Sequence, residues 1–218
     1  MVVGDAISKI YERRLLDIIK ADKVAKNILI VLCEGDLLSD EGLQKLRLFV
    51  EWSLSLGVET TTIYVNVIDD AEIAEIICPR LSKRILEVLS NIKAEIFIHS
   101  KYGNNCVERR DAMMNIDISI GLGGREELTD AIKTIMEKIE SGDVEPKDID
   151  ARMIELQLIF KSEPDLIIRS GGRLTDFLIW QSIYSELYFT EVNWLNFRKL
   201  DLLRAIRDYQ DRKRRFGV

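Results

Sequence analysis

The chain has 218 residues, a formal net charge of −6, and 47% hydrophobic against 31% charged residues. That balance suits one soluble domain with a full core. The acidic excess argues against a nucleic-acid binder, and no apolar run reaches the ~20 residues needed to span a bilayer.

Three cysteines without paired spacing (Cys33, Cys78, Cys106) and a single histidine, His99, point to a reducing, cytoplasmic setting with neither a disulfide frame nor a zinc centre. The N-terminus is charged from Asp5 onward and does not read as a signal peptide, so membrane contact would be peripheral.

Residues 1–24 read as an N-terminal helix, with Ile7, Ile10, Leu15, Ile18 and Ile19 near one face. "NILIVLC" (27–33) is a continuous apolar run and reads as a buried strand. A helix follows from the possible caps Ser39 and Asp40 to Gly57, then a β-branched strand over 60–67. Residues 70–91 are helical, with a bend expected at Pro79. Strands are expected at 94–100 and 116–122, a helix at 125–142, and a shorter helix at 145–156 with Pro146 near its start. "PDLIIRS" (164–170) is the next strand, and residues 198–218 form a C-terminal helix with a basic tail. Strands alternating with helices imply an α/β fold, a parallel sheet surrounded by helices, and one domain over 1–218. In such sheets ligands sit beyond the carboxyl ends of the strands.

There, Arg169 ends a strand and Arg173 precedes an apolar helix, with Gly171 and Gly172 between them. Arginine forks beside a glycine turn suit phosphate or diphosphate oxygens. A salt bridge beside a tight turn is the alternative reading of the same pair.

"PDLIIRSGGRLTDFLIWQSIYSELYF" and "LLRAIRDYQDRKRRFG" resemble the cis-prenyltransferases, the undecaprenyl and dehydrodolichyl diphosphate synthases. "IGLGGREELTDAIKTIMEKIESGDVEPKDID" resembles their Gly-Gly-Arg segment, and "IYERRLLDIIKADKVAKNILIVL" looks like the domain entry of archaeal-type members. The likeness is dense over 116–217 and thin over 34–115.

The resemblance implies condensation of isopentenyl diphosphate onto an allylic diphosphate, in a dimer, with Mg2+. It implies that Arg169, Arg173 and Thr175 bind diphosphate, with Arg125 and Glu186 in support. It also implies that Arg215 and Gly217, in the tail Arg-x-Gly, reach a partner's site. Where the family carries a Met-Asp-Gly-Asn-Arg-Arg-Trp motif, this chain reads "LCEGDLLSDEGL". Glu34 then stands for the aspartate and Asp36 for the asparagine, and the basic residues are missing. Glu34 or Glu186 would be the metal ligand, while a loop and helix cap is the plainer reading of Glu34 and Asp36. The Ser-Thr-Glu-Asn-Trp motif is absent after the second strand, and the Arg169–Arg173 spacing is two residues shorter than in the family.

These departures imply a non-catalytic or weakly catalytic subunit of a heteromeric cis-prenyltransferase making long-chain polyprenyl diphosphate. A homologous catalytic partner would then hold most of the Mg2+ and receive the tail. The alternatives are a self-sufficient homodimeric synthase and a regulatory or scaffold protein without prenyl chemistry.

Overall fold

The computed structural model describes residues 2–68, 70–161, 163–170 and 179–212. In chain order the elements are α1 (Val2–Lys20), β1 (Asn27–Cys33), α2 (Glu34–Leu37), α3 (Asp40–Ser55), β2 (Thr60–Asn66), α4 (Ala71–Leu89) and β3 (Ala94–Ser100). Then come β4 (Asn105–Val107), β5 (Met114–Ile120), α5 (Gly124–Glu140), α6 (Ala151–Gln157), β6 (Leu166–Ser170), β7 (Glu186–Thr190) and α7 (Lys199–Asp211).

The sheet runs β4-β3-β5-β2-β1-β6-β7 and is parallel except for the β3–β4 pair. β1 lies inside it and is buried on both faces, which is why its sequence is an unbroken apolar run. Its amino end is tied to β6 by the Asp165 carboxylate, which accepts from the amides of Lys26 at 2.8 Å and Asn27 at 3.1 Å.

Alternation splits the strand residues between two faces. Ile28, Ile30 and Leu32 point into the main core with Ile63, Ile116, Ile118 and Ile168, together with Phe49, Trp194 and Phe197. Leu29, Val31, Tyr64 and Ile167 point the other way, under Phe160. Helix starts follow their caps: Ser39 Oγ accepts from the Gly42 amide, Asp70 from Ile73 and Asp150 from Met153.

Several boundaries differ from expectation. β5 covers 114–120 rather than 116–122, because Gly121 turns away at φ +69 and ends the ladder. The single helix expected over 145–156 is a 3-10 turn (Pro146–Asp148) followed by α6, which starts afresh at the Asp150 cap. Pro79 lies inside α4 without ending it; burial of Cys78, Leu81, Ile85 and Leu89 offsets the lost helix bond. The edge strand β4 was not expected. Its three half-exposed or exposed residues give no hydrophobic signal.

Candidate active site

The carboxyl ends of β1 and β6 lie side by side, with Val31 in register with Arg169. Arg169 is 5% exposed, and its Nε and Nη1 are buried without a hydrogen-bond partner among the described residues. A guanidinium cannot shed its charge, so burying it unpaired is costly unless an anion arrives. Cys33 stands on the same face of β1 two residues beyond Val31, near enough for Arg169 to act on its thiol. Burial pushes the Cys33 thiol up and Asp36 adds to this, while Arg169 opposes it.

Directly after Cys33, Glu34 opens α2 and is half-buried. Asp36 turns back, and its Oδ2 accepts from the Cys33 amide at 2.9 Å. The cap reading of Asp36 therefore holds, and that carboxylate is spent on the backbone. α2 is held against α3 at Gly42, where an added Cβ would collide with the Asp36 carbonyl oxygen.

On the other side of β1, Cys33 is in register with Asn66 at the end of β2. Beyond it a cleft of about 350 Å³ opens over the ends of β2, β3 and β5, lined among others by Asn66, Lys101, Tyr102, Gly123 and Arg125. Arg125 is exposed on the first turn of α5, whose cap residue Gly123 brings no side-chain acceptor. Lys101 is paired with Glu126 at 2.5 Å.

Glu186 is elsewhere. It starts β7, in register with Leu166, three residues or about 10 Å before Arg169 along the strand direction. There it is bridged to Arg212 at 3.2 Å. Within one chain the fold therefore sets Glu186 apart from Glu34 and Arg169, with the two candidate metal ligands, Glu34 and Glu186, standing at opposite ends of their strands. Arg173, Thr175, Arg215 and Gly217 lie outside the described residues.

Sequence reasoning missed Glu127. It is 8% exposed on α5, and its Oε1 accepts from the amides of Ile159 (2.8 Å) and Phe160 (3.0 Å). Gln181 Nε2 reaches its Oε2 at 3.4 Å and the Phe160 carbonyl at 2.7 Å. Nothing in the sequence sets Glu127 apart from Glu126. Only helix phase does, once the buried side of α5 is known. His99 is half-buried with its ring edge against Phe160, 5.2 Å between centroids, and burial lowers its pKa.

The family model described as "Putative undecaprenyl diphosphate synthase" matches residues 66–217. The chain belongs to the cis-prenyltransferase family. It is 33% identical to the tritrans,polycis-undecaprenyl-diphosphate synthase (geranylgeranyl-diphosphate specific) of Methanocaldococcus jannaschii, over 98% of this chain and 90% of that one. It is 32% identical to an isoprenyl transferase of Thermus thermophilus, over 95% and 94%. In fold it is similar to lavandulyl diphosphate synthase from Lavandula x intermedia, solved with dimethylallyl diphosphate: TM-score 0.70, 22% identity, 89% of this chain and 99% of that one. The span aligned with the Methanocaldococcus protein, 258 residues, exceeds the 218 of this cis-prenyltransferase, so that relative has residues with no counterpart here.

Mg2+ takes oxygen ligands and is commonly held by one or two carboxylates plus substrate phosphates. Glu34 fits such a role at the edge shared with Arg169. No cluster of three metal-ligating side chains occurs among the described residues, so the donor set does not fit an all-protein cage.

Proposed function

We propose that this protein is a polyprenyl diphosphate synthase that elongates an allylic diphosphate with isopentenyl diphosphate, acting as a homodimer. The observation that carries the reading is Arg169, a buried guanidinium with two nitrogens that have no partner among the described residues, at the carboxyl edge of the sheet. It would take diphosphate oxygens in the bidentate manner that arginine favours. Arg173 and Thr175 would join it from the following segment, and Arg125 would stand across β1. A bound Mg2+ on Glu34 would supply charge neutralisation for the departing diphosphate. The chain's own task is to fix two diphosphates and keep a reactive allylic centre away from water.

Similarity along nearly the whole chain to proteins named as synthases favours the homodimer over the subunit role expected from sequence. One observation favours the second reading, a subunit that depends on a homologous catalytic partner. Asp36 is committed to the backbone, which leaves one free carboxylate after β1.

The deciding assay uses the purified chain with Mg2+, geranylgeranyl diphosphate and labelled isopentenyl diphosphate. The homodimer reading expects elongation, abolished by Glu34→Ala and reduced roughly tenfold to a hundredfold by Arg169→Ala, the loss of one charge-assisted contact. Activity that appears only with an intact homologue, and falls on Arg215→Ala in this chain, would establish the second reading. No diphosphate binding in either assembly would leave the scaffold alternative.

A further inference from the structure

We propose that Arg84 is a positioning residue for Glu34, holding from α4 the turn that presents the Glu34 carboxylate to Mg2+. The inference rests on the reading of Glu34 as a metal ligand. α2 runs only from Glu34 to Leu37, and a single turn of helix does not hold itself in water. It has to be held from outside at both ends. At its start the Asp36 carboxylate accepts from the Cys33 amide at 2.9 Å. At its end Arg84 reaches across from α4. Nη1 donates to the Leu38 carbonyl at 2.6 Å, and Nη2 to Asp40 Oδ1 at 2.6 Å.

The two bonds differ in weight. The Asp40 side chain is 96% exposed, so its ion pair with Arg84 is largely screened by water. The Leu38 carbonyl belongs to the acceptors that a helix end leaves without an intrahelical partner. Arg84 meets it with a charged donor and so fixes the point where α2 gives way to α3. Leu38 and Arg84 line a pocket of about 370 Å³ together with Ile77, Arg80 and Leu81. Packing between the turn and α4 is therefore incomplete, and the turn has room to shift once Arg84 is removed. A shift at Leu38 passes to Glu34 over one turn, about 6 Å of helix. Mg2+ demands near-ideal octahedral geometry, so a carboxylate displaced by a fraction of that length loses the metal. Arg84 acts through Leu38 and not on the substrate.

The experiment follows two quantities in the full chain and in Arg84→Ala, Arg84→Lys and Arg80→Ala. One is amide hydrogen exchange over residues 34–42, read by mass spectrometry; the other is the Mg2+ dependence of elongation. Arg84→Ala should speed exchange over 34–42 roughly tenfold, the worth of one hydrogen bond to a charged group, and leave β1 unchanged. It should raise the half-saturating Mg2+ by a similar factor while the KM for isopentenyl diphosphate holds. Arg84→Lys keeps the charge without the fork. It should fall between the two, and it decides the matter if Arg84→Ala does not fold. Arg80→Ala, on the same pocket, should match the wild type in both.

Three results would overturn the proposal: exchange over 34–42 unchanged in Arg84→Ala; exchange faster with the Mg2+ dependence unmoved; or the same Mg2+ shift in Arg80→Ala. If the wild-type chain does not elongate alone, the homodimer reading falls and the exchange experiment still decides. Mg2+ with inorganic pyrophosphate should then slow exchange over 34–42 in the wild type and not in Arg84→Ala. Equal slowing in both, or none in the wild type, would end the positioning role.

Discussion

Two carboxyl groups, one buried and one half-buried, show how differently an acid can be used. Glu127 gives up water but receives two backbone amides and an amide side chain. Glu127→Ala would leave the Ile159 and Phe160 amides without acceptors, at about 1–3 kcal/mol each. The urea midpoint should fall accordingly, and an unchanged midpoint would show that those amides find water. Among the described residues Asp117 receives no such help. It lies mid-strand between Thr62 and Phe97, and burial pushes its pKa up to about 6.

The folded value lies above the unfolded one, so the folded state holds the proton more tightly. The stabilisation from this group is complete below about pH 4 and is lost as pH rises through about 6. Asp117→Asn should remove that part of the slope and raise stability at pH 7 by up to about 3 kcal/mol. Parallel stability–pH curves for wild type and variant between pH 4 and 7 would contradict this.

At the scale of elements, the turn after β1 is positioned by a close approach. α3 meets α2 where Gly42 faces the Asp36 carbonyl, and Trp194 Nε1 donates to the Gly42 carbonyl at 3.0 Å. Gly42 therefore answers to packing and not to helix propensity. Gly42→Ala must push α2 aside and carry Glu34 with it. Its expected signature is loss of elongation together with about 1–3 kcal/mol of stability, the usual range for overpacking. Full activity in Gly42→Ala would mean that Glu34 is not held by this contact. The β1–β6 pair makes the complementary point. The backbone of Arg169 is fixed by strand register on both sides, with Val31 and with Phe189, so its side chain starts from a set position at the carboxyl edge.

For the whole molecule, exposed apolar residues occur along the length of the chain, and three of them lie close together in sequence after the site. Ile183 is 64% exposed, Tyr184 55% and Phe189 51%. We expect residues 174–214 to hold most of a dimer contact, since obligate interfaces resemble a core cut in half. Leu174, Phe177 and Leu178 belong to the same expectation but lie outside the described residues. Trp180→Ala combined with Tyr184→Ala should shift the protein to monomer on a sizing column. An unchanged oligomer would place the interface elsewhere. No helix among the described residues is long and apolar enough to cross a membrane.

The alternation of apolar strands with helices was enough to determine a parallel α/β sheet, because a strand buried on both faces has to be apolar throughout. The motifs "PDLIIRS" and "IGLGGRE" were enough to place Arg169 at a strand end and Arg125 at the helix start that follows a strand, because a βα turn puts its first residues at the carboxyl edge. Three matters were settled only by tertiary structure. Strand register put Glu186 at the amino end of β7, three residues short of the level of Arg169. The fold-back of Asp36 onto the Cys33 amide decided which of two neighbouring acids stays free. The meeting of Arg169 with Cys33 joins residues 136 positions apart, and local periodicity carries no information about such a contact. Each depends on which strands lie side by side, and the packing of the whole chain sets that order.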